Sequence, residues 1–264
     1  PTNSLEGFAM DSFDIQAQFS DIPAFGYRTF FAKPTSNAVS KGKTMCTSPQ
    51  TMENEFLSVT INPNGTLKVQ NKKTGKLSDN LGYFHDSSET GDAWVRKAAQ
   101  NDLIFTTLNE RAKIVSLEDG ELKASFKVII DWSLPESCVG DLYLTDRSAN
   151  LKPYQIINTV TLRKGQPWVE VITELDNNVL DHYLQVAFPT NLKSDDVFAQ
   201  GHFDVIKHSF KQPDPSLYLE KLQTSKPMNS FVDVSDGKYG LALLNEGLKA
   251  YEAYDDPSRT IGLV

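Results

Sequence analysis

The sequence predicts an all-β protein, in the form of a large antiparallel β-sandwich of two sheets. Glycine and proline separate short runs in which apolar and polar residues alternate, and this period-2 pattern is typical of half-buried strands. No stretch keeps the 3.6-residue period of an amphipathic helix for more than about three turns. The longest pair of runs suits a broad sandwich with two layers.

The first clear hairpin is expected early in the chain. Residues 56–61 and 66–70 alternate in polarity and flank the sequence Asn-Pro-Asn-Gly at 62–65. Asparagine and glycine both tolerate positive φ and are common in tight turns. We therefore expect two antiparallel strands joined by a turn with positive φ at Asn64 and Gly65.

The longest hairpin is expected near the middle of the chain. Residues 154–163 and 168–175 are strand-like and flank the turn sequence Lys-Gly-Gln-Pro at 164–167. Trp168 opens the second of these runs, and Trp132 lies in another strand-like run. Large aromatic side chains within strands usually pack in the core, so both tryptophans are predicted to be buried.

A third hairpin is expected at residues 231–244. Val232 and Val234 occupy alternate positions, so that one face of its first strand is apolar. Asp236-Gly237 supplies the turn chemistry, and residues 239–244 return as the second strand.

The chain divides into three predicted segments. Residues 1–34 are predicted as a leading β segment, and residues 35–50 as a loop or linker because they are rich in serine, threonine and lysine. Residues 51–264 form the main β-sandwich domain. The apolar character of residues 259–264 resembles the middle of a strand, so we expect a longer protein in which this domain continues beyond Val264.

Composition and charge limit the classes of partner. The chain has 264 residues, of which 39% are hydrophobic and 23% charged, as in globular domains. No run approaches the roughly 18 apolar residues that a membrane-spanning helix requires, so no membrane partner is predicted. The formal net charge of −8 argues against a nucleic-acid partner, because phosphates are bound mainly through lysine and arginine.

No metal site is predicted within the chain. The two cysteines are far apart in sequence and outside any CxxC spacing, and the histidines lack HxxxH or HxH spacing, which local zinc sites use. The residues concerned are Cys46, Cys138, His85, His182, His202 and His208.

The third hairpin also carries a family resemblance. The run FVDVSDGKYGLALLNEG at 231–247 resembles a segment of the C-terminal β-domain of glycoside hydrolase family 38, the α-mannosidases. Residues 53–76 resemble the opening of the same domain, and DIPAFGYRTF at 21–30 resembles the edge segment before it. Because HFDVIK at 202–207 is similar as well, the resemblance spans nearly the whole chain.

The resemblance implies a specific fold and function. The fold would be the large two-sheet supersandwich of galactose mutarotases, without the catalytic α/β domain. The parent enzyme would hydrolyse α-mannosides with retention, using a divalent metal, most simply zinc, held by residues outside this chain. The chain itself is expected to be inactive, with its own upstream catalytic domain and an α-mannoside or oligosaccharide as partners. We also expect a cytoplasmic, bacterial setting and a role in a homo-oligomer interface.

The carboxylates of the chain agree with a non-catalytic role. A glycosidase needs two carboxyl groups roughly 5 to 9 Å apart across the scissile bond. The neighbouring pairs Asp195-Asp196 and Asp255-Asp256 point to opposite faces in an extended chain. Neither pair is expected to be catalytic.

One loop is a candidate for contact with substrate. The acidic run DSSETGDAW at 86–94 is similar to a family loop that reaches the sugar site and usually ends in tyrosine. Trp94 would stack on the sugar, and Asp92 would accept its hydroxyl groups. The alternative is that Trp94 packs in the core and Asp92 serves a turn. His202, at the start of a strand, is a further candidate for substrate binding, although an edge histidine is often structural.

Two other functions remain open from the sequence. A stand-alone carbohydrate-binding module would need an exposed aromatic platform, for which Trp94 is the candidate. A mutarotase-type aldose epimerase would need a histidine and a glutamate on one concave face, which sequence spacing does not reveal.

Overall fold

The fold is all-β, as the sequence predicts. A computed structural model describes residues 15, 17–33, 42–91, 95–140, 144–217 and 223–264. Within these residues the regular structure consists of antiparallel strands and two single-turn 3₁₀ helices, Thr107–Asn109 and Pro215–Leu217. Neither described helix has the length or the apolar character needed to cross a membrane.

A five-stranded sheet opens the fold. Its strands follow chain order: β1 (Cys46–Ser48), β2 (Thr51–Glu53), β3 (Leu57–Ile61), β4 (Leu67–Asn71) and β5 (Leu77–Leu81). The first predicted hairpin is confirmed as β3 and β4, with Leu57 paired with Asn71 and Ile61 with Leu67. The turn has a positive φ of 86° at Gly65, whereas Asn64 was wrongly expected to share it.

A second sheet, here called the long-stranded sheet, contains the longest strands. Its members are β8 (Ala112–Asp119), β9 (Lys123–Pro135), β12 (Leu151–Arg163) and β13 (Glu170–Leu175), in the order β13-β12-β9-β8. The predicted middle hairpin is confirmed as β12 and β13. Trp132 is buried in β9, as predicted, but Trp168 precedes β13 and is 50% exposed. The prediction that Trp168 is core was wrong, because β13 is an edge strand with little above it.

A third sheet has six strands. Its members are β6 (Tyr83–Ser88), β7 (Phe105–Thr106), β14 (His182–Pro189), β17 (Ser225–Pro227), β20 (Ala250–Ala253) and β21 (Thr260–Leu263), in the order β17-β20-β21-β14-β6-β7. Strand β14 lies inside the sheet, paired with β6 on one side and β21 on the other.

The remaining strands form two smaller sheets. The short-stranded sheet has the order β16-β15-β18-β19 and contains β15 (Asp196–Gln200), β16 (Val205–Ser209), β18 (Phe231–Ser235) and β19 (Gly240–Leu244). Strands β10 (Cys138–Val139) and β11 (Asp146–Arg147) pair separately. The third predicted hairpin is confirmed as β18 and β19. Val232 and Val234 are buried on one face, and Gly237 takes a positive φ of 84°.

Two hydrophobic cores join the four larger sheets. The larger core combines residues such as Ile61 of the five-stranded sheet, Ile156 of the long-stranded sheet and Phe84 of the six-stranded sheet. The smaller core combines Val232 of the short-stranded sheet with Ile261 of the six-stranded sheet. The six-stranded sheet therefore contributes to both cores and occupies the centre of the packing.

Three features of the predicted organisation differ in detail from the structure. Hydrogen bonds group the described strands into five sheets. The pattern of strand pairing therefore does not confirm the predicted sandwich of two sheets. Strand β1 lies inside the segment 35–50 that was predicted as a loop. The described part of the predicted leading β segment, residues 15 and 17–33, has no strand, and its side chains are exposed.

Two isoleucines on the paired strands β12 and β13 test this burial pattern. Ile156 is fully buried, whereas Ile172 is 65% exposed. We expect Ile156→Ala to lower the free energy of unfolding by about 2 to 5 kcal/mol, because it removes core contacts and leaves a cavity. The matched change Ile172→Ala should lower it by less than about 1 kcal/mol. Denaturant unfolding measures both, and equal losses would contradict the assigned faces.

Candidate functional site

Of the three residues predicted to contact substrate, the structure describes only His202. Trp94 and Asp92 lie outside the described residues. His202 is exposed in the turn between β15 and β16, and its ring lies edge-on to that of Phe203, with ring centroids 6.5 Å apart. It therefore does not open a strand, as was expected, and it belongs to a different sheet from the acidic loop.

The two ends of the acidic loop, residues 89–91 and 95–97, are here called its neck. Hydrogen bonds hold the two sides of the neck together. The carboxylate of Glu89 accepts hydrogen bonds from the backbone N–H of Gly91, at 2.8 Å, and of Lys97, at 3.1 Å. The backbone N–H of Thr90 donates to the carbonyl of Lys97 at 2.7 Å. These bonds hold the outgoing and returning parts of the chain together.

Gly91 allows the two sides of the neck to approach closely. A Cβ atom at this position would lie 2.0 Å from the carbonyl oxygen of Val95 and 2.9 Å from the backbone nitrogen of Lys97. Both obstacles are backbone atoms, which move only if the neck opens. Glycine is therefore required here for close approach rather than for an unusual φ.

Arg96 attaches the neck to the six-stranded sheet. Its Nη2 donates to the hydroxyl of Ser87 at 2.9 Å, and its Nε lies 3.5 Å from a carboxylate oxygen of Glu89. The guanidinium also lies 3.9 Å from the centroid of the Tyr183 ring, which is within the range of a cation–π contact. One side chain thus links the loop to both β6 and β14.

The returning chain is fixed to the end of β6 as well. The hydroxyl of Ser88 accepts a hydrogen bond from the backbone N–H of Ala99 at 2.7 Å. The backbone N–H of Ser88 donates to a carboxylate oxygen of Asp102 at 3.0 Å. The loop is therefore anchored at three successive points after its tip.

Tyr183 connects this anchor to a buried carboxylate, Glu252, which is 4% exposed. Four neutral donors surround the carboxylate: Thr224 at 2.6 Å, Tyr254 at 2.8 Å, Gln185 at 3.2 Å and Tyr183 at 3.5 Å. Burial, followed by the negative charge of Glu252, raises the pKa of Tyr183 to about 12. The same causes raise the pKa of Tyr254 above its usual range.

His85 lies beside Glu252 on the same face of the sheet. It is paired across the strands with Gln185, whose side chain donates to Glu252. Burial lowers the pKa of His85, which keeps its imidazole neutral at pH 7. Its Nδ1 atom is buried without a hydrogen-bond partner among the described residues. A histidine and a glutamate thus share one face, but both oxygens of the glutamate are occupied by protein donors.

A buried ionic cluster lies on the other face of the same sheet. The carboxylate of Asp86 lies 2.6 Å from Nη2 of Arg147 and 2.6 Å from Nδ1 of His182, and all three side chains are almost completely buried. Arg147 also donates to the carbonyl of Leu103, which follows the acidic loop. Sequence reasoning missed this cluster because its members are scattered; Asp86 and His182 are 96 residues apart.

Two further features of the described residues bear on ligand binding. None of these residues belongs to a group of three or more histidine, cysteine, aspartate or glutamate side chains placed to hold a metal ion. A polar cleft of about 530 Å³ lies elsewhere in the fold and contains none of the predicted site residues. It is lined by Asn62, Pro63, Asn64, Asp79, Asn80, Glu110 and Arg111.

Comparison with known families decides the family of the chain. Residues 52–257 match the family model described as the glycosyl hydrolases family 38 C-terminal domain. The chain belongs to glycosyl hydrolase family 38. The resemblance recognised in residues 53–76 and 231–247 is therefore confirmed.

Relatives of this family 38 domain are much longer than the chain. A "Putative mannosylglycerate hydrolase" of Halalkalibacterium halodurans is 26% identical over 221 residues, which are 79% of this chain and 24% of that protein. Among solved structures, an alpha-mannosidase of Enterococcus faecalis V583 is 28% identical, with a TM-score of 0.79 over 85% of this chain and 26% of its own. A family 38 protein from Enterococcus faecalis is 26% identical, with a TM-score of 0.77 over 87% and 28%. The chain thus spans about a quarter of each.

The raised pKa of Tyr183 predicts a specific alkaline instability. A phenol whose folded pKa exceeds its unfolded value of about 10 stabilises the fold below that pH, and this stability is lost as the pH rises toward the folded value. We expect the free energy of unfolding to fall between about pH 10 and the folded pKa of about 12. In Tyr183→Phe this fall should be shallower.

The control for this prediction is Tyr27→Phe, which removes an exposed hydroxyl and should leave the alkaline unfolding curve unchanged. Denaturant unfolding at a series of pH values measures both variants. Identical pH dependence in Tyr183→Phe and the unmodified chain would contradict the assigned burial.

Proposed function

We propose that the chain is the non-catalytic C-terminal β-domain of a larger α-mannosidase, which cleaves α-mannosidic bonds with retention. The domain scaffolds the upstream catalytic domain and lends its acidic loop to the sugar site. Support comes from the family match and from the likeness to the Enterococcus faecalis V583 alpha-mannosidase, of which the chain spans 26%. The names of that protein and of the Halalkalibacterium relative both refer to mannosyl compounds.

The packing supports a mutarotase-like supersandwich as the finer description of the fold. The two hydrophobic cores draw side chains from facing sheets, as layered β proteins do. In this proposal the five-stranded, long-stranded, six-stranded and short-stranded sheets are parts of two curved layers, with the six-stranded sheet shared between the cores.

The proposal that the acidic loop reaches the sugar site is supported by one observation, the hydrogen-bonded neck of the loop. Glu89, Gly91 and Arg96 hold the loop closed and attach it to two strands. A binding residue acts well only when its support is rigid, and this neck supplies that support. Trp94 at the tip would stack on the apolar face of a mannosyl ring, and Asp92 would accept hydroxyl hydrogen bonds. His202, exposed in its turn, would contact a more distant part of the substrate.

The catalytic metal is assigned to residues outside this chain. The described residues lack a cluster of ligands placed for a metal ion, so they do not fit zinc. In the proposed enzyme, zinc would supply Lewis-acid chemistry at the mannosyl group from the upstream domain.

The proposed setting remains a bacterial cytoplasm, with a homo-oligomer in which this domain contributes to the interface.

The structure bears on both alternative functions. An aldose epimerase needs a free acid and base, but the carboxylate of Glu252 is already held by Thr224, Gln185 and Tyr254. A stand-alone carbohydrate-binding module needs an exposed aromatic platform. Trp168 and Phe203 lie apart, but Tyr27 and Phe31 are both exposed within residues 17–33. The epimerase is therefore the less well supported of the two alternatives.

The proposal predicts a division of activity between this chain and the longer enzyme. The purified chain of residues 1–264 should not hydrolyse an activated aryl α-mannoside, with or without added zinc. The longer protein should hydrolyse it, and a chelator should abolish that activity until zinc is restored. Turnover by homogeneous chain that depends on added metal would overturn the proposal.

Substitutions in the loop separate a role in binding from a role in the core. In the longer protein, Trp94→Ala should lower kcat/KM by about tenfold or more, because a stacking ring contributes to transition-state binding. Gly91→Ala should have a similar effect by opening the neck. In the isolated chain, Trp94→Ala should change the free energy of unfolding by less than about 1 kcal/mol.

Trp168→Ala serves as the control, because Trp168 is half exposed and lies beside the edge strand β13. It should leave kcat/KM unchanged. If Trp94→Ala instead destabilised the isolated chain by about 3 to 5 kcal/mol and left the kinetics unchanged, Trp94 would be a core residue.

A further inference from the structure

Residues 17–33, here called the aromatic arm, expose an unusual amount of apolar surface. Phe25 is 113% exposed, Tyr27 88% and Phe31 82%, and three more large apolar residues of the arm are 43% to 55% exposed. The three are Phe19, Ile22 and Phe30. Single exposed apolar residues are ordinary, but a run of this density marks an interaction surface.

The arm has a defined shape that presents these side chains. The backbone N–H of Gly26 donates to the carbonyl of Pro23 at 3.1 Å, which makes a turn. The rings of Phe19 and Phe30 meet with centroids 4.1 Å apart, so the two legs of the arm are held together. Phe25 therefore lies at the tip.

The backbone at the tip is strained. Phe25 has a φ of 55°, a left-handed conformation that is unfavourable for a bulky side chain. No contact among the described residues buries its ring, which is fully exposed. The turn from Pro23 to Gly26 places Phe25 at its third position, where type II turns require a positive φ, so the turn itself holds the ring in this exposed position.

The arm lies close to the described fold near its base. An amide nitrogen of Gln18 lies 3.9 Å from the position that a Cβ atom on Gly165 would occupy, in the turn between β12 and β13. The arm also precedes the residues that match the family domain, 52–257. It thus lies beside the domain while its aromatic residues remain uncovered.

The lengths of the relatives indicate what covers the arm. The chain spans 24% of the Halalkalibacterium protein and 26% and 28% of the two Enterococcus faecalis chains, so most of each relative lies outside the part compared. Because the matched domain is described as C-terminal in its family, that remainder is expected before it. We infer that the arm is a docking element, which inserts Phe25, Tyr27 and Phe31 into an apolar groove on the preceding part of the same, longer polypeptide. This inference rests on the function proposed above, because it needs that longer protein.

Amide hydrogen exchange tests the occupant directly. Residues 17–33 should exchange rapidly in the chain of residues 1–264 and at least about tenfold more slowly in the longer protein. Equal exchange in the two proteins would overturn the inference. Sedimentation of the chain alone tests a second copy as the occupant, and a dimer that requires Tyr27 and Phe31 would overturn it as well.

A substitution series provides the matched comparison. Tyr27→Ser combined with Phe31→Ser should leave the thermal midpoint of the chain unchanged, but should lower that of the longer protein by about 3 °C or more. The control pair Leu217→Ser and Leu244→Ser removes side chains that are 78% and 77% exposed and should change neither protein. Equal destabilisation of both proteins by the arm variant would show that the arm packs on this domain instead.

Mannosidase activity distinguishes the two proposals. A longer protein that hydrolyses the aryl α-mannoside but leaves the arm unprotected would refute the docking element alone. A longer protein with a protected arm and no mannosidase activity would refute the proposed function and leave the docking element standing.

Discussion

The last three residues of strand β6 are polar and are buried, and this constrains the structure around the candidate site. Asp86, Ser87 and Ser88 are consecutive in β6 and are 0%, 3% and 0% exposed. Because strand residues alternate, both faces of β6 carry a buried polar group here. Leaving any one of them unpaired would cost about 1 to 3 kcal/mol. The surrounding chain must therefore supply partners on both faces at once.

Those partners determine where the acidic loop returns. Ser87 is paired with Arg96, and Ser88 with Ala99, so the chain after the loop tip must run back along the end of β6. Asp86 is paired with Arg147, which in turn donates to the carbonyl of Leu103. The path of the loop is thus a consequence of satisfying the strand, and the rigidity of its neck follows from the same bonds.

The two buried carboxylates of the six-stranded sheet are stabilised in different ways. Asp86 is paired with the cation Arg147 and with His182, as a fully buried charge requires. Glu252 has only neutral donors, two of them phenols whose pKa values are raised. Removing one partner of Asp86 would leave an uncompensated charge, whereas the four donors of Glu252 share its stabilisation. Both arrangements tie neighbouring strands of the sheet together.

The sequence predicted those parts of the fold that depend on nearby residues. Each hairpin combines two alternating runs with a turn such as Asp236-Gly237, and all of these residues lie within a short window. The grouping of strands into sheets depends on distant pairings, for instance between β6 and β14, for which one sequence carries no signal. Trp132 and Trp168 looked alike in sequence, but only the inner strand β9 buries its tryptophan.

The candidate site was predictable only in part for the same reason. The acidic loop was identified through its similarity to a family loop, whereas its attachment to the sheet depends on Tyr183 in a distant strand. The sequence places Asp86 among several carboxylates of the acidic loop, whereas the structure buries it in the core as the single acidic residue of β6. The three consecutive polar residues at the end of a strand were the available signal, because a buried strand tolerates them only with partners on both faces.

The carboxylates of the two neighbouring acidic pairs are engaged within the fold. Asp195 and Asp255 both pair with Arg259, and Asp196 pairs with Lys207. Asp256 accepts hydrogen bonds from the backbone and the hydroxyl of Thr260. A general acid in a glycosidase must be free to exchange a proton with the substrate, while these groups are committed to turns and surface ion pairs. The carboxylates of the two neighbouring acidic pairs therefore hold the ends of strands, which agrees with the supporting role proposed above for the domain.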